Sequence, residues 1–332
     1  MILVIAEKPS VAQSIAKVLG ATSRKDGYME GGNYIVSWCF GHLVELADAS
    51  SYDERYAKWR YDDLPIVPES WMFEVTKDKA QQFKVLSALM KDKRVTELVC
   101  ATDAGREGEL IFRLVYNKAG CTKPFKRLWI SSLEDSAIRE GFNHLRDGKE
   151  YDRLYEAALS RSKADWIVGI NGTRLFTTLY HKKLVVGRVQ TPTLAMLVER
   201  DGKISTFQKE KYFNVHVGKG DLTADLEKVK TKEEAKRIAA ACEKKQAVVS
   251  SLKQETKTVN PPKLYDLTTL QREANRYYGF TAQQTLDLVQ TLYEKKLLTY
   301  PRTDSQFITD DMEDTARQVI SIVCRQLPLF SG

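Results

Sequence analysis

The stretch LLTYPRTDS (297–305) sets one tyrosine, Tyr300, two residues before an arginine, Arg302, with Asp304 and Ser305 close behind. A phenol gives up its proton only near pH ~10, so a tyrosine is a weak nucleophile until a cation or a base lowers that cost. Arg302 is such a cation. Taken alone, Tyr300 reads more simply as a half-buried side chain with an apolar body and a polar tip. A second stretch, TDAGREGE (102–109), packs Asp103, Glu107 and Glu109 into seven residues. Acidic oxygens gathered in this way suit Mg²⁺, which takes a few carboxylates together with waters and phosphate oxygens. Glu7 and Lys8 follow the apolar run ILVIA, adding a third acid and a cation that can contact a phosphate or protonate a leaving oxygen. The simpler alternative for Asp103 and Glu107 is that they cap a helix N-terminus, where anions are favoured in any case.

The elements that must position these groups are legible as strand-to-helix steps. ILVIA (2–6) is a β-rich run, followed by SVAQSIAKVLG with apolar residues at helical spacing and Gly20 as its C-cap. ELVCAT (97–102) leads into REGELIFRLVYNKAG, and KRLWIS (126–131) into LEDSAIREGFNHL. Three such units predict an α/β domain, a parallel sheet with covering helices, over the first 150 residues. Glu7 and Asp103 then both fall at the carboxyl edge of that sheet, where ligands bind. Gly105 and Gly108 are expected to make the tight turn between the second strand and its helix.

From Tyr151 to about Lys203 the pattern becomes helical. Residues 211–227 and 246–257 read as strands around a helix at 231–244, and after the NPP turn at 260–262 helices resume in LTTLQREANRYYG and TAQQTLDLVQTLYEKK. A fold of α-rich and small β-containing segments after the α/β domain follows. The chain has 332 residues, 43% apolar and 29% charged, with a mean hydropathy of -0.38. This composition excludes a dominantly disordered chain, and no apolar run reaches membrane-spanning length. The five cysteines are scattered singly, which predicts a reducing, cytoplasmic setting and no zinc site. A net charge of +7 fits a polyanionic partner without requiring one. Ten basic residues against four acids between Lys228 and Lys263 read as a solvated surface or a backbone-binding face, with too few aromatics for a base-stacking platform.

Six ordered stretches, IAEKPSVAQSIAKVLG (5–20), GHLVEL (41–46), ATDAGREGELIFR (101–113), VGRVQTPTLAMLVERD (186–201), TTLQREANRYYGF (268–280) and LLTYPRTDS, closely resemble type IA DNA topoisomerases, within them the bacterial topoisomerase III branch. The resemblance implies a Toprim domain over 1–150, the first part of a helical domain over 151–208, the first part of a β-arch domain over 209–262, and a tyrosine-bearing helical domain over 263–332. It makes Tyr300 the nucleophile that becomes joined to a 5′ phosphate, Arg302 and Lys8 the cations at the scissile phosphate, and Glu7 the group near the leaving 3′ oxygen. Glu7, Asp103 and Glu107 would hold Mg²⁺.

Arg188 and Gln190 match positions lining a single-strand groove, Ser160, Arg161 and Asp165 lie in the helix that resembles its neighbour, and Thr268, Thr269 and Gln271 are weaker candidates. The implied substrate is single-stranded or negatively supercoiled DNA, which such enzymes relax or unlink without ATP, and no Walker pattern is present. No membrane is implied, and a helicase partner is not legible. Competing expectations are a noncatalytic DNA-binding fragment, or a Toprim nuclease or primase that uses the acids without the tyrosine.

The chain departs from the family pattern in three ways. Gly105 stands where the family often has a middle acid, which leaves open one or two metal ions and whether Glu109 or a water substitutes. All four histidines precede Tyr300, so an assisting histidine downstream has no counterpart. The chain stops at Gly332 in the apolar LPLFSG, which suggests a fragment whose return segments are absent and whose apolar faces are therefore exposed.

Overall fold

The computed structural model describes residues 1–246, 248–303, 305–308 and 312–326. Asp304 and the LPLFSG ending lie outside them. The first strand, β1 (Ile2–Ala6), is followed by α1 (Pro9–Leu19), then β2 (Ser23–Lys25), β3 (Tyr28–Gly31), β4 (Tyr34–Trp38), β5 (Val44–Leu46) and β6 (Phe73–Val75). Next come α2 (Ala80–Lys91), β7 (Glu97–Ala101), α3 (Arg106–Lys118), β8 (Phe125–Arg127), α4 (Asp135–Asn143), β9 (Arg146–Asp147) and the long α5 (Asp152–Tyr180). The chain continues through α6 (Gln190–Ser205), β10 (His216–Lys219), β11 (Leu222–Asp225), α7 (Lys232–Cys242), α8 (Leu267–Tyr278), α9 (Ala282–Glu294) and α10 (Glu313–Gln326).

Two units emerge, one formed by 1–188 with 262–332 and the other by 189–261. The first is built on a seven-stranded sheet of order β2-β3-β4-β1-β7-β8-β9. Its centre, β4-β1-β7-β8, is parallel, but β2, β3 and β9 join antiparallel, so the expected parallel sheet is a mixed one. The extra strands follow from turn chemistry: Asp26-Gly27 links β2 to β3, with Gly27 at φ 78°, a conformation suited to glycine in a tight hairpin. The third expected strand is also shorter than its apolar run, since β8 ends at Arg127.

Period-2 alternation along β1 feeds two cores. Leu3 and Ile5 pack with Leu86, Leu110 and Phe112 on one side of the sheet, whereas Val4 and Ala6 pack with Ile15, Val36 and Ile138 on the other. Pro9 opens α1 with its φ preset for a helix, and Gly20 closes it at φ 73°, its N–H returning to the Ala16 and Lys17 carbonyls.

The second unit has little core of its own. Its β10–β11 hairpin and α7 agree with the expected strand and helix there, although pairing in the first stretch is confined to His216–Lys219 and a single bridge from Phe213 to Val229. No strand forms among the described residues of 246–257; the apolar run has no neighbouring strand to pair with. Along α6, Leu194, Met196, Leu197 and Val198 are each more than 60% exposed. Among the described residues no helix is long and apolar enough to cross a membrane.

Candidate active site

β1 and β7 lie side by side in parallel register with Ala6 opposite Ala101, so the residues that follow them leave the sheet together. The Asp103 amide donates to Glu7 Oε2 at 3.3 Å. Burial next to the Asp103 carboxylate raises the Glu7 carboxyl from 4.5 to about 7, and the Asp103 amide, Lys8 and Arg302 only partly offset this. Two acids from separate strand ends therefore do converge, and one of them is poised to carry a proton near neutral pH.

Capping does not explain Asp103. The N-cap of α3 is Gly105, and no side chain bonds the helix start. Gly105 has an extended backbone with open space around it, so any residue fits there. Gly108 is the glycine the turn requires: a Cβ there would meet the Asp103 carbonyl oxygen at 2.1 Å. The Thr102 hydroxyl fastens the same approach by donating to the Gly108 carbonyl at 2.7 Å.

Glu107 sits on the first turn of α3, 57% exposed, with Oε2 3.4 Å from His42 Nε2. A cleft of about 770 Å³ is lined by Glu7, Lys8, His42, Glu107 and Arg302, among others. Glu107 shares this cleft with Glu7 but turns to His42, and among the described residues no three acidic, histidine or cysteine side chains are grouped as metal ligands. The expected three-carboxylate set is thus a close pair with a third acid beside it. The chemistry of the pair still fits a hard cation, because two crowded carboxylates, one of them driven towards protonation by burial and then by the other's charge, are what a divalent ion relieves. Glu109 is no substitute for the acid missing at Gly105. It is fully buried and bound to two arginines.

Tyr300 reaches this edge from the segment after α9. Its amide donates to the Ser131 carbonyl at 3.1 Å, just past β8. Its ring meets that of Tyr293 edge-on at 5.6 Å, and both pack against the Val4 side of the sheet. The Tyr300 phenol lies within electrostatic reach of the Asp103 and Glu7 carboxylates. Burial first, then the Asp103 and Glu7 charges, push its phenol well above the usual value, and Arg302 pulls the other way. In the resting state the tyrosine keeps its proton. Lys8 stands 3.7 Å from Glu294 at the end of α9, so the cleft cation also ties that helix to the sheet edge.

Sequence reasoning missed four neighbours: Tyr293, Glu294, Ser131 and His42. Tyr293 and Glu294 had a usable signal in their position seven and six residues before the tyrosine, at the end of the helix that must present it. His42 had one in the GHLVEL stretch.

The groove candidates are scattered. Arg161 and Asp165 lie on α5, and Arg188 forms a two-pronged ion pair with Asp165 at 2.6 and 3.4 Å. Gln190 is exposed at the start of α6 in the second unit, and Ser160 is exposed on α5. Thr269 and Gln271 are engaged within the protein. The Thr269 amide is capped by Asp266, and the Gln271 amide group donates to the Ala282 carbonyl at 3.0 Å, bracing the α8–α9 turn.

Comparison with known proteins gives a family. A model described as Toprim domain matches residues 2–133, and one described as DNA topoisomerase matches 149–329, more than half the chain. Among curated relatives, DNA topoisomerase 3 of Bacillus subtilis is 46% identical over 323 residues, and that of Staphylococcus haemolyticus is 46% identical over 320. Each alignment takes in 95% of this chain but only 44% and 45% of the relative, so the chain spans less than half their length. Full-length topoisomerase I from Thermotoga maritima is similar in structure, with a TM-score of 0.68 and 26% identity, over 97% of this chain and 52% of that one. Its strand-end acids lie within a matched Toprim domain and its tyrosine segment within a matched core, and the chain belongs to the DNA topoisomerase family.

Proposed function

We propose that this chain carries the DNA-cleaving machinery of a type IA topoisomerase, with Tyr300 as nucleophile. The observation that supports this most directly is that Tyr300 is anchored at the sheet edge where the Asp103 and Glu7 carboxylates converge, beside the cleft that Glu7, Lys8 and Arg302 line. In this reading the Tyr300 oxygen attacks a backbone phosphorus of single-stranded DNA, its proton passing to the Asp103 carboxylate. The bond from phosphorus to the 3′ oxygen breaks, and a 5′-phosphotyrosine forms. Glu7, whose carboxyl is raised by burial and by the Asp103 charge, gives its proton to the departing 3′ oxygen and takes it back on religation. Arg302 and Lys8 stabilise the charge that builds on the phosphoryl oxygens.

One phosphodiester is exchanged for another, so the reverse step needs no ATP. Asp103, with Glu107 beside it and Glu7 once it is ionised, would hold Mg²⁺, which when bound supplies positive charge at the phosphate. Arg161, Asp165, Arg188 and Gln190 would track the strand, while Thr269 and Gln271 would act through the fold around it. Relaxation of negatively supercoiled DNA and unlinking of DNAs, in the cytoplasm, belong to this reading for the whole protein.

Denaturing-gel trapping on a single-stranded oligonucleotide labelled at either end, with Mg²⁺, tests it. Wild type is expected to become attached to the fragment bearing the 3′-end label, and Tyr300→Phe to form no adduct. Cleavage that survives Tyr300→Phe would point instead to a Toprim nuclease. Salt-sensitive binding by both proteins with no adduct from either would make the chain a binding fragment.

A further inference from the structure

Behind the cleft runs a chain of charged side chains that the reaction above does not use. Arg127, at the end of β8, and Glu109, on α3, are both without solvent exposure and lie 3.2 Å apart. Glu109 also accepts from Arg113 at 2.8 Å, and Arg113 reaches Asp152 at the start of α5 at 2.7 Å and the Gly148 carbonyl at 2.8 Å. The other face of the Arg127 guanidinium donates to three carbonyls: Cys100 at 3.0 Å, Thr102 at 2.7 Å and Asp103 at 2.6 Å.

β7 ends at Ala101, so the carbonyls of Thr102 and Asp103 have left the sheet ladder where the chain must turn. A planar fork with five fixed donors can hold several carbonyls at once, which a lysine ammonium cannot do in one plane. Buried ion pairs are a poor source of stability, since well-packed apolar residues of the same size often do as well. Stability alone is therefore a weak reason for a fully buried arginine whose donors converge on the backbone of one acid.

We propose that Arg127 is a positioning residue for Asp103: by gripping the 100–103 backbone, with Glu109 fixing its own orientation, it sets the Asp103 carboxylate beside Glu7, at the edge that Tyr300 reaches. The proposal rests on the role given to Tyr300 and Asp103 above. It differs from a purely structural role because Arg113 shares the same buried Glu109 yet sends its other hydrogen bonds to Gly148 and Asp152.

The test compares Arg127→Lys with Arg113→Lys in the full chain. Each keeps the charge and disturbs the Glu109 pair, and thermal unfolding matches them for lost stability. Three further readouts are taken: amide hydrogen exchange at Thr102 and Asp103, affinity for a single-stranded oligonucleotide, and the single-turnover rate of covalent adduct formation. Arg127→Lys is expected to speed exchange at those two amides by roughly 10-fold, as the loss of about one hydrogen bond implies. It should slow adduct formation by roughly 100-fold, the scale of a misplaced reacting group, with oligonucleotide affinity unchanged. Arg113→Lys should leave exchange and adduct rate near wild type.

Wild-type exchange and rate in Arg127→Lys, or equal losses in Arg113→Lys, would overturn the proposal. If wild type forms no adduct, the topoisomerase reading falls by itself, and the exchange comparison still decides whether Arg127 holds Asp103. Should Arg127→Lys not fold, Arg127→Gln, which keeps part of the donor set, takes its place with the same expected direction.

Discussion

Glu7 and Glu109 are both buried acids of the same domain, yet their surroundings are opposite. Glu109 meets two arginines and is satisfied on both oxygens. Glu7 meets another carboxylate, with its cations at the cleft wall, and its carboxyl is raised to about 7. Burial alone therefore does not mark a working group. An uncompensated buried charge beside a cleft does, because the fold tolerates there an energy it has relieved elsewhere.

Changing each acid to its amide should move stability in opposite directions. Glu109→Gln leaves Arg127 and Arg113 without their shared anion and should cost about 3–5 kcal/mol, the usual penalty for breaking a buried pair, read from urea unfolding at pH 7. Glu7→Gln should stabilise the fold above neutrality. A carboxyl raised from 4.5 to about 7 binds more protons folded than unfolded between those values, so wild-type stability falls as pH rises through that window. The amide removes a penalty of about 3 kcal/mol at pH 8–9 and has no such advantage below pH 4.5. A flat difference between the two proteins from pH 4 to 9 would contradict the charge balance described for Glu7. Covalent trapping with Glu7→Gln should meanwhile be lost, since the amide cannot give a proton to the departing 3′ oxygen.

The two glycines of the acidic stretch sharpen the same contrast on the backbone. Gly108→Ala should cost about 1–3 kcal/mol and impair adduct formation, because its new methyl meets the Asp103 carbonyl. Gly105→Ala has open space and should stay within about 0.5 kcal/mol of wild type. Thermal unfolding of both variants checks this. The smallest expected effect lies on the proposed strand path. Arg188→Gln should weaken oligonucleotide binding uniformly across sequences and reduce the salt slope by about 1, measured by fluorescence anisotropy at several salt concentrations.

Much of the site was legible because it depends on strand ends. An apolar run followed by an acid fixes both where a strand stops and which edge the acid occupies, and this brought Glu7 and Asp103 together on paper. The tyrosine could be joined to them only through resemblance, since 197 residues separate Asp103 from Tyr300 and no periodicity reports that distance. The β2–β4 meander was overlooked because its strands are short and polar, although Asp26-Gly27 announced the turn. The described residues of 246–257 form no strand for the converse reason: strand propensity without a partner makes no ladder. Arg127 did carry a signal, a guanidinium in the apolar run KRLWIS. A charge in a buried strand requires an opposite charge elsewhere, and Glu109 on the buried side of α3 was the available one.

The edge-on stacking of Tyr293 on Tyr300 bears on more than alignment. Tyr293 is 5% exposed and shares an apolar cluster with Val4 and Ala6, so α9 cannot move away from the sheet without wetting that ring. Rehydrating one such side chain costs about 2 kcal/mol, and the Lys8–Glu294 tie parts in the same movement. A segment displaced from the sheet edge is thus drawn back by water itself, and the fold contains its own return spring.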